Sequence, residues 1–454
     1  MAQEVVPLRG NLARLLPALS LVFGLAAPAS AAVFEPTTFE LDNGMQVVVV
    51  ENHRAPVVIH TVWYRVGAAD EPPGKSGIAH FLEHLMFKGT ETVAAGEFSK
   101  IVARNGGRDN AFTSYDYTGY IQTISRDNLE LVMRMEADRM VNLRLAEPDV
   151  LTERDVIQEE RRQRTDNSPG AKLGEMVLAT QYLAHPYRIP VIGWAHEIAQ
   201  LSREDALAFY KEYYAPNNAI LVVVGDVTPD EVRTLAEKYY GVHEPNPDLK
   251  PRQRPQEPPQ IAARRLTYHD VQVRQPSWRR SYLAPSRASG ETQHAVPLQV
   301  LSEILGGGSV SRLYQKLVVE ERVAAAAGSY YDAVALDKST FTVYAAPVPG
   351  GDVAAVEEAV DVVLVNLLAT GVTEAELKRA KDGLMAAAVY ARDDLNQAPR
   401  VIGNALTGGL TLAHIENWPD EVAAVTAEDV LAAAKAVLDT RRSVTAELLP
   451  EKED

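Results

Sequence analysis

Cysteine is absent from all 454 residues. Its absence excludes disulfides, thiolate metal ligands and a cysteine nucleophile together, so any metal must be held by His, Asp or Glu. Positive charge is in deficit as well: 45 Lys and Arg stand against 61 Asp and Glu, a formal net charge of −16. Nucleic acids and anionic membrane surfaces both require a basic face, so neither is an expected partner. The acidity reads first as a solubilising surface and second as a preference for basic peptides. Long apolar runs are missing beyond the N-terminus. There, Arg9 and Arg14 precede "LLPALSLVFGLAAP" and then "ASAA", with small residues at Ala29 and Ala31. This is the layout of a secretory signal peptide cut after Ala31, and the run is short for a membrane span. The expectation is a leader at 1–31, a periplasmic mature protein and no direct membrane span in it.

With 46% hydrophobic and 23% charged residues the chain has a globular composition, and it is too long for a single core. "FELDNGMQVVVVEN" places the turn triplet Asp42-Asn43-Gly44 between two strand-like runs and predicts a β-hairpin. "VVIHTVWYRVGAADE" continues as a strand, and helical and strand-like segments alternate from there to "AILVVVGDVTPDEVRTLAEKYYG", a buried strand, a turn and a capped helix. Residues 244–260 hold six prolines in seventeen positions and almost nothing apolar, the composition of a stiff exposed linker. Beyond it the pattern restarts with "RRSYLAP", the helix "HAVPLQVLSEILGGG" and the strand "STFTVYAAP". The expected fold class is α+β: a duplicated unit of antiparallel or mixed sheet packed with helices, with domains at 32–243 and 261–454 joined by the linker.

The chemistry is concentrated in residues 76–90, "SGIAHFLEHLMFKGT", where His80, Glu83 and His84 interrupt an otherwise apolar helix. Residues four apart lie on one helical face, so His80 and His84 converge on one point with Glu83 beside them. Two imidazoles at this spacing suit Zn²⁺ completed by a third protein ligand and a water, and a carboxylate outside the ligand set can take the water's proton. Two unrelated histidines on an amphipathic helix are the bland alternative, and the pair, the spacing and the intervening Glu argue jointly against it. The third ligand is expected in "ERDVIQEERR". Glu153 and Glu160 lie two turns apart on one helical face, while Glu159 lies about 100° round the helix. One of the pair can bind metal with the other a shell further out, and helix geometry does not say which. The matching helix of the second half carries no metal-ligand pair.

The order His-x-x-Glu-His, with "LDNGMQVVV", "NAFTSYDYT", "ERDVIQEERR", "HPYRIPVIG" and "YYAPNNAILVVVGD", resembles the pitrilysin-like, inverted-motif zinc peptidases, a family that includes the mitochondrial processing peptidase and bacterial periplasmic relatives. The resemblance implies zinc held by His80, His84 and Glu160, Glu83 as general base and Glu153 as partner of a ligand. It further implies a clamshell of paired domains, and a peptide substrate bound as an added strand along Asn110, Ala111 and Phe112, leading to Thr113.

Family members use an Arg and a Tyr seven apart in the second domain to orient the peptide. In "SRLYQKLVVEERVAAAAGSYY" those positions fall on Val318 and Ala325, with Arg312, Tyr314, Tyr330 and Tyr331 nearby at other spacings. The implied reading is a zinc-bearing subunit that works with a homologous Arg/Tyr-bearing subunit, with the 306–308 glycine turn near the contact; a homodimer that manages without the pair is the alternative. Two other functions compete with the peptidase: a non-catalytic structural or binding subunit, and a metal-storage protein. Neither needs a base beside the metal pair.

Overall fold

The computed structural model describes residues 33–451; the expected leader at 1–31 lies outside them. The first half contributes strands β1 (Thr37–Glu40), β2 (Gln46–Glu51), β3 (Val57–Tyr64), β4 (Arg108–Thr113), β5 (Thr118–Ser125) and β6 (Ala219–Gly225). They form one sheet in the order β1, β2, β6, β3, β5, β4, so β4 is an edge. The hairpin predicted around Asp42-Asn43-Gly44 is present, with β1 antiparallel to β2. The central strand β6 is buried throughout because both faces of the sheet are covered, which is why it reads as an unbroken apolar run. Leu221 and Val223 face the helices of their own half, while Ile220, Val222 and Val224 face the other way.

Those helices include α1 (Ile78–Leu85), α2 (Glu97–Arg104), α3 (Leu129–Asn142) and α4 (Glu147–Arg161), and α5 (Pro169–Gln181) follows them in the chain. The second half contributes β7 (Arg264–Asp270), β8 (Ser277–Ala284), β9 (Ala324–Tyr331), β10 (Ser339–Pro347) and β11 (Ser443–Pro450), in the order β7, β11, β8, β10, β9. The pairing repeats that of the first sheet. β7–β11 is parallel like β2–β6, and β11–β8, β8–β10 and β10–β9 are antiparallel like β6–β3, β3–β5 and β5–β4. The duplication is therefore real, and among the described residues β1 has no counterpart in the second sheet.

Each half also covers the other. Helix α6 (Gln397–Thr407) lays Ile402, Ala405 and Leu406 on the outer face of the first sheet, against Trp63, Ile220 and Val222. A Cβ at Gly403 would stand 2.0 Å from the Trp63 ring, so the indole lies directly on the helix backbone. Reciprocally, α5 packs Leu173 and Val177 on Val444, Ala446 and Leu448 of β11. A sheet with two apolar faces needs two covers, and here one cover comes from each half.

Residues 244–260 form no helix or strand and are mostly exposed, in keeping with the expected linker, but a few of their polar side chains are anchored. Glu257 is buried and accepts the backbone N–H groups of Leu183, Ala184 and His185. Arg254 is buried among Asp70 (2.8 Å), Asp116 (2.5 Å) and Asp337 (3.1 Å), carboxylates from both halves. The segment lacks apolar side chains for a core, but its charged ones find buried partners, a tertiary outcome that composition does not announce.

Candidate metal centre and active site

Helix α1 starts at Gly77, whose φ of +86° suits glycine, and a Cβ there would lie 2.6 Å from the Ile192 carbonyl oxygen. The Glu71 carboxyl group accepts the N–H groups of Gly77 (2.9 Å) and Ala79 (3.0 Å), so two backbone donors at the start of the helix are satisfied. Ile78, Ala79, Phe81, Leu82 and Leu85 bury in the first core and so fix the helix rotation. The remaining face presents His80, Glu83 and His84. Opposite it, α4 buries Val150 and Ile157 and turns Glu153 and Glu160 towards α1.

Glu160 Oε2 lies 3.6 Å from His80 Nε2 and 3.4 Å from His84 Nε2. One ligand atom from each of the three residues lies within 4.8 Å of the others. Glu153 stands behind, its Oε1 at 2.8 Å from His84 Nδ1, and its other oxygen pairs with Lys88. The two carboxylates that helix geometry left equivalent are thus separated by position: Glu160 converges with both imidazoles and Glu153 holds the far nitrogen of one. Glu159 points into solvent and pairs with Arg162, as its angular offset predicts.

The electrostatics favour positive charge at this point. His84 is pushed up to about 9: burial opposes the charge, and its bonds to Glu153 and Glu160 outweigh burial. His80 is lowered by burial and by the neighbouring His84, so the pair does not take up two protons together. Glu160 is held below the usual carboxylate range by its bond to His84. A set of two imidazoles and one carboxylate, with a carboxylate behind one imidazole, fits a borderline-soft divalent cation such as zinc. The second nitrogen of His80 is buried and has no partner among the described residues, so there that support serves one imidazole only.

Glu83 is buried beside this set and outside it. Burial raises its pKa, while the Thr113 hydroxyl donates to Oε2 at 2.6 Å and partly offsets the rise. Thr113 ends β4, so the edge strand and the carboxylate meet. Asn110, Ala111, Phe112 and Thr113 line, with the His80, His84 and Glu160 set, a cleft of about 660 Å³. The Phe112 ring turns to the opposite face of the sheet, 4.8 Å from Trp63 between ring centres. Two contacts escaped the sequence reading. Arg164 pairs with Glu160 Oε1 at 2.6 Å, and Lys88 pairs with Glu153. The four-residue spacing of Glu160 and Arg164 was a legible signal.

In the second half, Val318 is half-buried against the core and Ala325 is exposed on β9. Arg312 is engaged by both oxygens of Glu376, and Tyr331 donates to the Pro285 carbonyl. Tyr330 is exposed.

Residues 46–193 match the family described as insulinase (peptidase family M16), and residues 200–384 match the peptidase M16 inactive domain. The chain is 37% identical over 371 residues to the zinc protease PqqE of Helicobacter pylori, covering 80% of this chain and 81% of that one. The crystal structure of a protease from Helicobacter pylori superposes with a TM-score of 0.86 at 33% identity, over 92% of this chain and 100% of that chain. The first half of the periplasmic protease PqqL from Escherichia coli has the same fold, with a TM-score of 0.78 at 19% identity over 93% of both chains.

Proposed function

Given that this chain belongs to the M16 peptidase family, we propose that it is a zinc-dependent endopeptidase that hydrolyses unfolded peptides. One observation carries the reading: Glu83 sits beside the His80, His84 and Glu160 set without joining it, held by Thr113. A storage or binding protein has no use for a buried carboxylate in that place. A zinc ion held by His80, His84 and Glu160 would supply the Lewis acidity that activates water near neutral pH and polarises a peptide carbonyl.

The chain's own residues do the rest. Glu83 takes a proton from the attacking water and passes it to the leaving amine. The Thr113 hydroxyl fixes the carboxylate's rotation, and the Glu153 carboxylate fixes the His84 ring. The free edge of β4 pairs with an extended peptide backbone through Asn110, Ala111 and Phe112, a mode indifferent to most side chains and closed to folded substrates.

Periplasmic export is the natural reading of residues 1–31, and the location printed for the Escherichia coli relative is in keeping with it. Among the described residues no helix is long and apolar enough to cross a membrane. A homologous second subunit would contribute the Arg and Tyr that Val318 and Ala325 do not. Arg312 is committed to Glu376, which favours that division of labour over an internal substitute.

The test is hydrolysis of a quenched unstructured peptide by the zinc-loaded chain, alone and mixed with a homologous Arg/Tyr-bearing subunit. Glu83→Gln should keep its metal and lose at least about a hundredfold in rate. Equal rates from wild type and Glu83→Gln would sink the catalytic reading. Full activity from the chain alone would sink the two-subunit one.

A further inference from the structure

A cavity of about 720 Å³ lies where the two halves and the segment 244–260 meet. Arg65, directly after β3, enters it from the first half. Lys250, Arg252 and Arg254 come from the connecting segment, and Leu336, Asp337 and Leu406 from the second half. Its lining holds four Lys and Arg against one carboxylate, the reverse of a chain whose net charge is −16.

The carboxylates within reach are already engaged. Asp337 pairs with Arg254 at 3.1 Å and with His185 at 3.0 Å. Asp70 accepts Nε and Nη2 of Arg254 at 3.1 and 2.8 Å. Arg254 is therefore neutralised, and three cations are left over. Arg252 donates Nη1 and Nη2 to the carbonyl oxygens of Thr407 and Asp116, which are neutral acceptors. Its Nε is buried without a hydrogen bond, 3.6 Å from an Asp70 oxygen that accepts the Gly67 N–H. Arg65 donates to the Gln46 amide oxygen at 2.9 Å and has no carboxylate partner among the described residues. Lys250 is exposed and enters no ion pair there. Burial lowers the pKa of Arg65 and of Arg252, and Arg252 lowers that of Arg65 further, so the two guanidinium groups repel each other beside the cavity. An anion lying between them would relieve that repulsion.

Charge and lining together specify the ligand. Three cations offer donors to three separate oxygens, which a phosphate group presents and a carboxylate does not. Leu336 and Leu406 supply an apolar wall that inorganic phosphate would leave uncovered. We propose that the cavity binds a phosphate monoester, its oxygens held by Arg65, Lys250 and Arg252 and its apolar body lying on Leu336 and Leu406. These groups belong to the first half, the connecting segment and the second half, so the bound ester ties all three together. No residue that lines the cleft at the metal centre lines this cavity, and the proposal stands independently of the peptidase reading.

The test is calorimetric titration of the full chain with phenyl phosphate, and separately with inorganic phosphate, at one ionic strength in a phosphate-free buffer. Phenyl phosphate should bind saturably at one site per chain, at least about threefold more tightly than inorganic phosphate. Arg65→Gln combined with Lys250→Gln should weaken it at least about tenfold. Lys250→Gln alone, at an exposed position, should weaken it about threefold and decides the matter if the double variant does not fold. Saturating phenyl phosphate should raise the Tm of wild type and leave that of the double variant unchanged. Zinc-loaded and metal-free protein should bind it equally, which separates this site from phosphate held on the metal. Equal affinity for the two phosphates would overturn the ester and leave inorganic phosphate as the ligand. No saturable binding to wild type, an affinity unchanged by the substitutions, or binding only to the zinc-loaded protein overturns the site.

Discussion

Glu153→Gln isolates the support behind the metal centre from the centre itself. The carboxylate makes one charge-assisted bond to His84 Nδ1 at 2.8 Å and one ion pair to Lys88. The amide keeps the shape and a hydrogen-bond acceptor for the ring but loses the charge, so the imidazole becomes a poorer donor to a metal. The Lys88 ammonium is left without its counter-charge close to the site proposed to hold a cation, and this adds to the loss. Together these effects should weaken zinc binding about 10–100-fold, or about 1.4–2.7 kcal/mol. The assay is competition between the metal-free protein and a chromogenic chelator at neutral pH. Glu159→Gln is the control: it removes an equal charge one residue from Glu160, but from a side chain that points into solvent. Lys88→Met added to Glu153→Gln should recover part of the affinity. An affinity for Glu153→Gln within about twofold of wild type, or an equal loss in Glu159→Gln, would refute the argument that charge on this one carboxylate matters.

Three further outcomes are expected. Gly403→Ala drives a methyl group into the Trp63 ring and should cost about 1–3 kcal/mol, read as a lower Tm by calorimetry; an unchanged Tm would mean that α6 slides freely on the sheet. Arg254→Met leaves Asp116 buried without its cation and Asp70 with only Arg252 at 3.6 Å, and should lower stability to urea by about 3 kcal/mol; a change below about 1 kcal/mol would show that the network relaxes instead. Glu376 is lowered to about 2, first by its bonds to Arg312 and then, against the cost of burial, by the capping contacts of Thr373. Its folded pKa lies below its unfolded one, so its contribution is complete above the usual carboxylate value and drains away as pH falls through about 2. Glu376→Gln should therefore lower stability by about 1 kcal/mol at neutral pH and flatten its decline in acid, and parallel acid unfolding curves for the two proteins would count against this.

The sequence by itself determined the local parts. The His80, Glu83, His84 spacing is a property of one helix turn, and the Glu153 and Glu160 spacing of two. The hairpin at Asp42-Asn43-Gly44, the buried run of β6 and the repeat of the pattern beyond 260 follow from turn chemistry and periodicity acting over a few residues. What only the tertiary structure decided is which distant groups meet. Helix periodicity puts Glu153 and Glu160 on one face equally well; the depth at which α4 crosses α1 makes Glu160 converge with both imidazoles and leaves Glu153 behind one. The same holds for Thr113 against Glu83, for the reciprocal covering of the two sheets by α5 and α6, and for Arg254, which composition places in an open linker and the fold buries among carboxylates from both halves. Side-chain spacing along one element is set by backbone geometry and can be read from the sequence. Contacts between elements depend on how their apolar faces pack, and that is a property of the whole chain.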